Sequence, residues 1–172
     1  MQNLKELLER AKKDENAFRE IYDFTVDRVF DFVILRLQNK EETKEVLQEI
    51  YLSFWKSLPN FEYISDEHFY GFLWKVVRRQ IYKKRLKKIK TVPLEEIYDI
   101  PEEEREKEDY RFLLNNLKNL KEKERLVVEL RYFANLSFEE VSKALDISLS
   151  NAKVLHHRAI KKLKISLKKY YV

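Results

Sequence analysis

Nine Lys or Arg side chains and not one carboxylate fall between Lys75 and Lys90. Such a run suits contact with a polyanion, because each cation can displace a counterion condensed on a phosphate backbone. A second donor-rich set lies in SLSNAKVLHHRAIKKL, residues 148–163. A helix turns by about 100° per residue. With Ala152, Leu155, Ala159 and Leu163 inward, Ser150, Lys153, Val154, His157, Arg158 and Lys161 point out. That outer face is rich in donors, has one apolar member, and fits phosphates and major-groove base edges.

Groups for making and breaking bonds are missing by comparison. With no Cys in 172 residues there is no thiol nucleophile, no Cys zinc site and no disulfide scaffold. His156 and His157 are adjacent and cannot share a metal on one helix face. His68 stands alone, and no HExxH pattern occurs. Glu41, Glu45 and Glu49 line one helix face without a His partner, an arrangement that faces solvent or a partner rather than a cation. No nucleophile elbow, P-loop or dinucleotide fingerprint is present. Neither a catalytic group nor a cofactor is expected.

The elements that must carry these residues read as helices throughout. One Gly and three Pro leave little turn chemistry for barrels or sandwiches. No apolar run approaches the roughly 18 residues of a membrane span. The opening MQNLKELLERAKK is polar and amphipathic, unlike a signal peptide. A soluble, cytoplasmic, all-α protein is expected, without membrane insertion. Asp14 is placed to cap a helix from Glu15, with Phe18, Ile21, Tyr22, Val26, Val29, Phe30 and Val33 at helical spacing. A break near Asn39 precedes a helix from about Glu41 to Trp55, which Pro59 ends. A third helix starts near Ser65–Asp66 and runs into the basic block, with Phe69, Phe72, Leu73, Val76 and Val77 inward. Trp55 reads as packing. Trp74 falls on the more polar side of its helix, which favours an external contact.

Charge divides the chain. Residues 1–74 carry a net charge of −5, residues 91–110 −7 and residues 111–172 +8, within an overall +5. Pro93 and Pro101 fall in the acidic stretch TVPLEEIYDIPEEEREKEDY. These features place one domain at residues 1–90, an acidic linker at 91–110 and a second domain at 111–172. Phe112, Leu113, Leu117 and Leu120 open the second domain, and Leu126, Val127, Leu130 and Phe133 continue it. At that size it buries only about 60 per cent of its unfolded surface and should be marginal alone.

The most specific local signal is in this second part. Ser137 and Glu140 form a capping box, and Val141, Ala144 and Leu145 give the helix after it a buried face. Asp146, Ile147 and Ser148 make a short turn before the basic helix. A capped short helix, a tight turn and a longer basic helix constitute a helix-turn-helix. Ser142 occupies the crossing position where Ala is common. Asp146 occupies the turn position where Gly is common, and Asp tolerates left-handed backbone better than most residues.

The order of segments resembles the extracytoplasmic-function (ECF) sigma factors of the sigma-70 family. The resemblance runs from Leu7 to Leu167 and rests on four stretches in order: LLERAKKDENAFREIYDF, KEVLQEIYLSFWKSLPNF, FYGFLWKVVRRQIYKKRLKK and LKEKERLVVELRYFANLSFEEVSKALDISLSNAKVLHHRAIKKLK. It implies a sigma2-like helical bundle and a sigma4-like helix-turn-helix joined by the linker. It also implies core RNA polymerase and promoter DNA as partners. Glu45, Gln48 and Glu49 would dock on the β′ clamp. Lys75, Arg78, Arg79 and Lys83 would track the phosphates of the opening minus-ten duplex, with Trp74 beside them. Phe61 and Tyr63, in the loop to His68, would lie near a pocket for a flipped base. Asn151, Lys153, Val154, His157 and Arg158, with Ser150 and Lys161, would read the minus-thirty-five element. The linker would thread through the polymerase. Many members are held by an anti-sigma factor, which the resemblance admits here too. With no chain beyond the last helix, a regulatory C-terminal extension is not expected. Departures from the family pattern (Phe72-Leu73, Arg78-Arg79, Lys83 and Asn151-Ala152-Lys153-Val154) leave the promoter sequence open.

Two other readings compete. A stand-alone helix-turn-helix regulator would use residues 1–90 for dimerisation or sensing and bind duplex DNA without polymerase. A nucleic-acid enzyme would need clustered carboxylates or a nucleophile near a basic block that contains no acid.

Overall fold

A computed structural model describes residues 3–91 and 114–168, with the side chains of 88–91 and 167 excepted. The expected linker lies outside the described residues apart from Thr91, as do Phe112 and Leu113. Every regular element among the described residues is helical. They are α1 (Leu4–Ala11), α2 (Glu15–Leu37), α3 (Lys40–Ser57), a 3₁₀ turn (Leu58–Asn60) and α4 (Asp66–Thr91). After them come a helical turn α5 over 114–118, then α6 (Glu122–Tyr132), α7 (Phe138–Leu145) and α8 (Leu149–Lys168). None of the described helices is long and apolar enough to cross a membrane.

Side chains set most boundaries. Asn3 caps α1 by accepting from the Lys5 amide at 3.1 Å, a short helix ahead of the Asp14 break that the sequence analysis does not place. Asp14 accepts from the Asn16 amide at 2.9 Å and starts α2 where expected. Gln38 turns left-handed at φ 54°, and Asn39 caps α3 by accepting from the Glu42 amide at 2.9 Å. Together they give the break expected near Asn39.

The bundle of α2, α3 and α4 closes on aromatic packing. Phe54 meets Phe18, Phe69 and Phe72 with ring centroids 5.8–6.0 Å apart. Thr25 and Tyr51 share a buried hydrogen bond of 2.9 Å between α2 and α3. In α7 the capping box forms: the Ser137 hydroxyl accepts from the Glu140 amide at 3.1 Å, and the Glu140 carboxylate accepts from the Ser137 amide at 2.7 Å. Asp146 closes α7 at φ 53°, ψ 48°, the left-handed geometry its position required.

The two parts of the chain share one main core. One buried cluster contains Ile21, Phe32, Phe54 and Leu73 from the first part together with Val127, Leu130, Val141 and Ala144 from the second. A smaller cluster of Leu117, Leu120, Val128, Ala159 and Leu163 belongs to the second part alone. The joint core runs where α7 lies along α4. Gly71, the chain's one glycine, lies in that contact.

Candidate nucleic-acid interface

On α8 the seven expected residues form one uncovered face. Ser150, Asn151, Lys153, Val154, His157, Arg158 and Lys161 are all exposed, while Ala152, Ala159 and Leu163 are buried and Leu155 half-buried. The Ser148 hydroxyl accepts from the Asn151 amide at 3.1 Å and fixes the start of the helix. His156 and His157 part as their adjacency demands. His157 stays on the outer face, while His156 stacks on Tyr132 and bonds its hydroxyl at 3.1 Å. Burial and the charge of Arg131 pull the His156 pKa below its ordinary value. The half-buried Ile147 and the Ile147 amide, which donates to the Ser142 carbonyl at 3.0 Å, fix the angle between α7 and α8.

On α4 the expected set divides. Arg79 and Lys83 are exposed. Lys75 is exposed but pairs with Asp146 of the helix-turn-helix at 2.7 Å. Arg78 is half-buried and donates to the Ala144 carbonyl at 2.9 Å. Trp74 requires a correction: it is 1% exposed and packs edge-on against Phe32 at 5.1 Å. Its side of α4 is polar in the sequence, yet α4 packs against α2 and α3 as well as α7. A helix covered on more than one side buries residues that a single apolar stripe leaves out.

Three further residues share a groove with this set, one of them, Arg36, held by Glu122 and Glu129. Arg36, Tyr82 and Arg85 join Lys75, Arg78 and Arg79 around a groove of about 410 Å³ between α2, α4 and α6. Burial, reinforced by the neighbouring charge of Arg36, pulls the pKa of both Arg78 and Arg85 down. A guanidinium begins so high that both stay cationic at neutral pH. Tyr82 and Arg85 follow Lys75 and Arg78 at helical spacing on α4, whereas no spacing pattern marks Arg36, which comes from a different helix.

The loop before α4 has a pocket of about 590 Å³, lined by Lys56, Asn60, Phe61, Ile64, His68 and Phe72. Phe61 forms its wall rather than a free platform: it is 5% exposed and stacks on His68 and Phe72 at 5.1 and 4.7 Å. Tyr63 is not part of the lining; its hydroxyl donates to Asp66 at 2.7 Å. That bond holds the phenol up at about 12. Ile64, 74% exposed, takes the place at the rim.

On α3, Glu45, Gln48 and Glu49 are exposed. Glu45 reaches across to Lys84 of α4 at 2.6 Å, and that hydrogen bond and charge hold its carboxyl below the usual range. Gln48 borders a groove of about 570 Å³ whose walls include Phe18, Tyr22, Leu47, Leu52 and Trp55. Among the described residues no group of three or more His, Asp or Glu could hold a metal ion.

Residues 22–90 match the family description "Sigma-70 region 2", and residues 117–164 match "Sigma-70, region 4". The ECF RNA polymerase sigma factor SigK of Mycobacterium tuberculosis (strain ATCC 25618 / H37Rv) is 28% identical over 172 residues, covering 94% of this chain and 92% of the relative. SigX of Bacillus subtilis (strain 168), also an ECF RNA polymerase sigma factor, is 26% identical and covers 87% and 83%. The fold is similar to that of CnrH in complex with the cytosolic domain of CnrY, with a TM-score of 0.76 at 15% identity over 96% of this chain and 97% of that one. It is similar also to the sigma factor RpoE in complex with the anti-sigma factor NepR from Bartonella quintana, with a TM-score of 0.67 at 18% identity over 88% and 96%. Two sigma-70 regions in order on one helical chain, with ECF relatives along nearly its whole length, make this protein a member of the sigma-70 family, in its ECF group.

Proposed function

We propose that this sigma factor binds core RNA polymerase through the outer side of α3, reads the minus-thirty-five element with α8, and helps open the minus-ten region with α4 and the loop before it. Residues 1–90 would form the clamp-binding and melting domain, 91–110 the linker and 111–172 the minus-thirty-five domain. The observation that carries this reading is the face of seven exposed, donor-rich residues on a capped helix-turn-helix, in one chain with a separate cationic helix. Those faces suit the two DNA states of initiation. α8 offers side chains for the base edges of an intact major groove. Arg79 and Lys83 offer charge to the backbone of a strand already separated. Opening would draw on binding alone. The pocket walled by Phe61 has room for an extruded base, with Ile64 and His68 at hand.

On α3, Gln48 and Glu49 offer an acidic, amide-bearing surface beside an apolar groove, complementary to a basic helical partner on the polymerase clamp. A protein inhibitor such as the anti-sigma factor bound by RpoE is a further partner in this reading. The setting is the cytoplasm, where polymerase and promoter meet. The stand-alone regulator is not favoured, since a sigma-70 region fills residues 22–90, the part that reading assigned to dimerisation or sensing.

The test is co-elution of the purified chain with bacterial core RNA polymerase on a sizing column without DNA. A stoichiometric complex is expected, weakened by the Gln48→Ala/Glu49→Ala double change with helicity unchanged by circular dichroism. A chain that instead runs as a dimer and binds duplex DNA without polymerase would overturn the assignment of α3.

A further inference from the structure

Charge is out of balance in the groove between α2, α4 and α6. Five cationic side chains line it, against a single carboxylate, Glu122. That carboxylate is already engaged, with Arg36 at 3.2 Å and with Arg125. Lys75 has Asp146, and Arg36 has Glu129 as well. Arg78, Arg79 and Arg85 are left with no carboxylate partner among the described residues. Arg78 and Arg85 donate to the backbone carbonyls of Ala144 and Arg36, which carry no net charge, and Arg79 is exposed. The surplus acts within the groove: burial first, and then the charge of Arg36, make Arg78 and Arg85 less basic than a free guanidinium. Arg36 adds a second sign. Its side chain is 6% exposed, and its Nε is buried with no hydrogen-bond partner among the described residues. Long cations that serve solubility keep their heads in water. These converge on a shared recess.

The lining narrows the class of ligand. A volume of about 410 Å³ falls within the range of small-molecule sites, roughly 300–1,000 Å³. Guanidinium groups meet phosphate oxygens two at a time, so three of them suit several phosphates in a row. The rest of the wall is suited to a ring. Phe32, Ile81 and Leu126 are buried and apolar, and Tyr82, 63% exposed, offers an aromatic face. We propose that this groove is a binding site for a free nucleoside polyphosphate, with Arg78, Arg79 and Arg85 on the phosphate chain and Tyr82 stacked on the base. The site goes beyond the reading of α4 as a strand-tracking helix. It draws on α2 and α6 and uses Tyr82 and Arg85, which that reading leaves idle. Because the walls come from both parts of the chain, one occupant touches both, and its binding adds stability by mass action.

The test is isothermal titration of the full chain with ATP free of divalent cations. Inorganic tripolyphosphate and a mixed-sequence single-stranded oligonucleotide are titrated in parallel, all in about 0.15 M salt so that loose surface charge is screened. ATP is expected to bind at one per chain and to raise the melting temperature. Arg85→Ala should weaken that binding about tenfold or more, the loss of a charged hydrogen bond. Lys83→Ala removes the same charge from α4 outside the groove lining and should leave the affinity within about twofold. Tyr82→Ala should weaken ATP and spare tripolyphosphate. Circular dichroism checks that each variant keeps its helicity. No saturable ATP binding by the native chain, or equal losses from Arg85→Ala and Lys83→Ala, would overturn the proposal. Tripolyphosphate that binds as tightly as ATP, with no effect of Tyr82→Ala, would overturn the nucleoside. The single strand keeps the reading of α4 separate, since Arg79→Ala/Lys83→Ala should lower its affinity whatever ATP does. If Arg85→Ala weakens the strand while ATP does not bind, the groove belongs to the strand-tracking surface, and the proposal fails while that reading stands.

Discussion

Arg158 is the outer-face residue of α8 with the most specific chemistry, because a guanidinium can meet two acceptors of guanine at once. It is exposed, and its neighbours Ala159 and Leu155 hold the helix by the opposite side. Arg158→Ala should therefore lower discrimination at one base pair of the promoter by about 1–3 kcal/mol, measured by competition between matched and single-mismatch duplexes. An equal loss on every sequence would make it a phosphate contact. His156, one residue from the face, does different work. It is packed among Tyr132, Phe138 and Arg131, and its pKa is lowered by burial and by Arg131. A histidine whose folded pKa is depressed gives stability that is present above its ordinary value near 6.5 and is lost as pH falls below it. Urea unfolding should accordingly show stability decreasing from pH 7 toward pH 5, and His156→Gln should flatten that slope.

At the scale of the element, the helix-turn-helix depends on its ends. The short α7 has eight residues and would be marginal as an isolated helix. The reciprocal bonds of Ser137 and Glu140 satisfy donors at its start, and the left-handed Asp146 turns the chain into α8. Ser137→Ala should cost about 1 kcal/mol of stability, read from thermal unfolding, without altering the α8 face. Capping is local and was legible in the sequence, as were the breaks at Asp14 and Asn39. The same local logic does not say which side of a long helix is covered. The long α4 exposes different faces along its described side chains, and a single apolar stripe describes only its contact with α2 and α3.

For the whole molecule, the decisive feature is the common core. Val127, Leu130, Val141 and Ala144 are buried in the cluster that also holds Phe32 and Leu73. Residues 111–172 prepared alone should thus unfold at a lower temperature than the same residues in the full chain, followed by circular dichroism. A chain whose fragment 111–172 melts as high as the whole would have two independent cores.

The sequence by itself determined the long helices, the caps at Asp14 and Ser137, the left-handed turn at Asp146 and the outward face of α8. Each depends on bonds within one or two turns, or on the fixed rotation between successive side chains. It also determined the family, through four segments in order. Only the tertiary structure decided that Trp74 lies in the core and Phe61 in a pocket wall, and that Arg36 and Arg85 share a groove with Arg78. It alone separated Lys75 and Arg78, held by α7, from Arg79 and Lys83, left to solvent. That last division depends on a helix some 70 residues away meeting α4 at a glycine. No local period encodes such a meeting, because burial is a property of what the neighbouring helix covers.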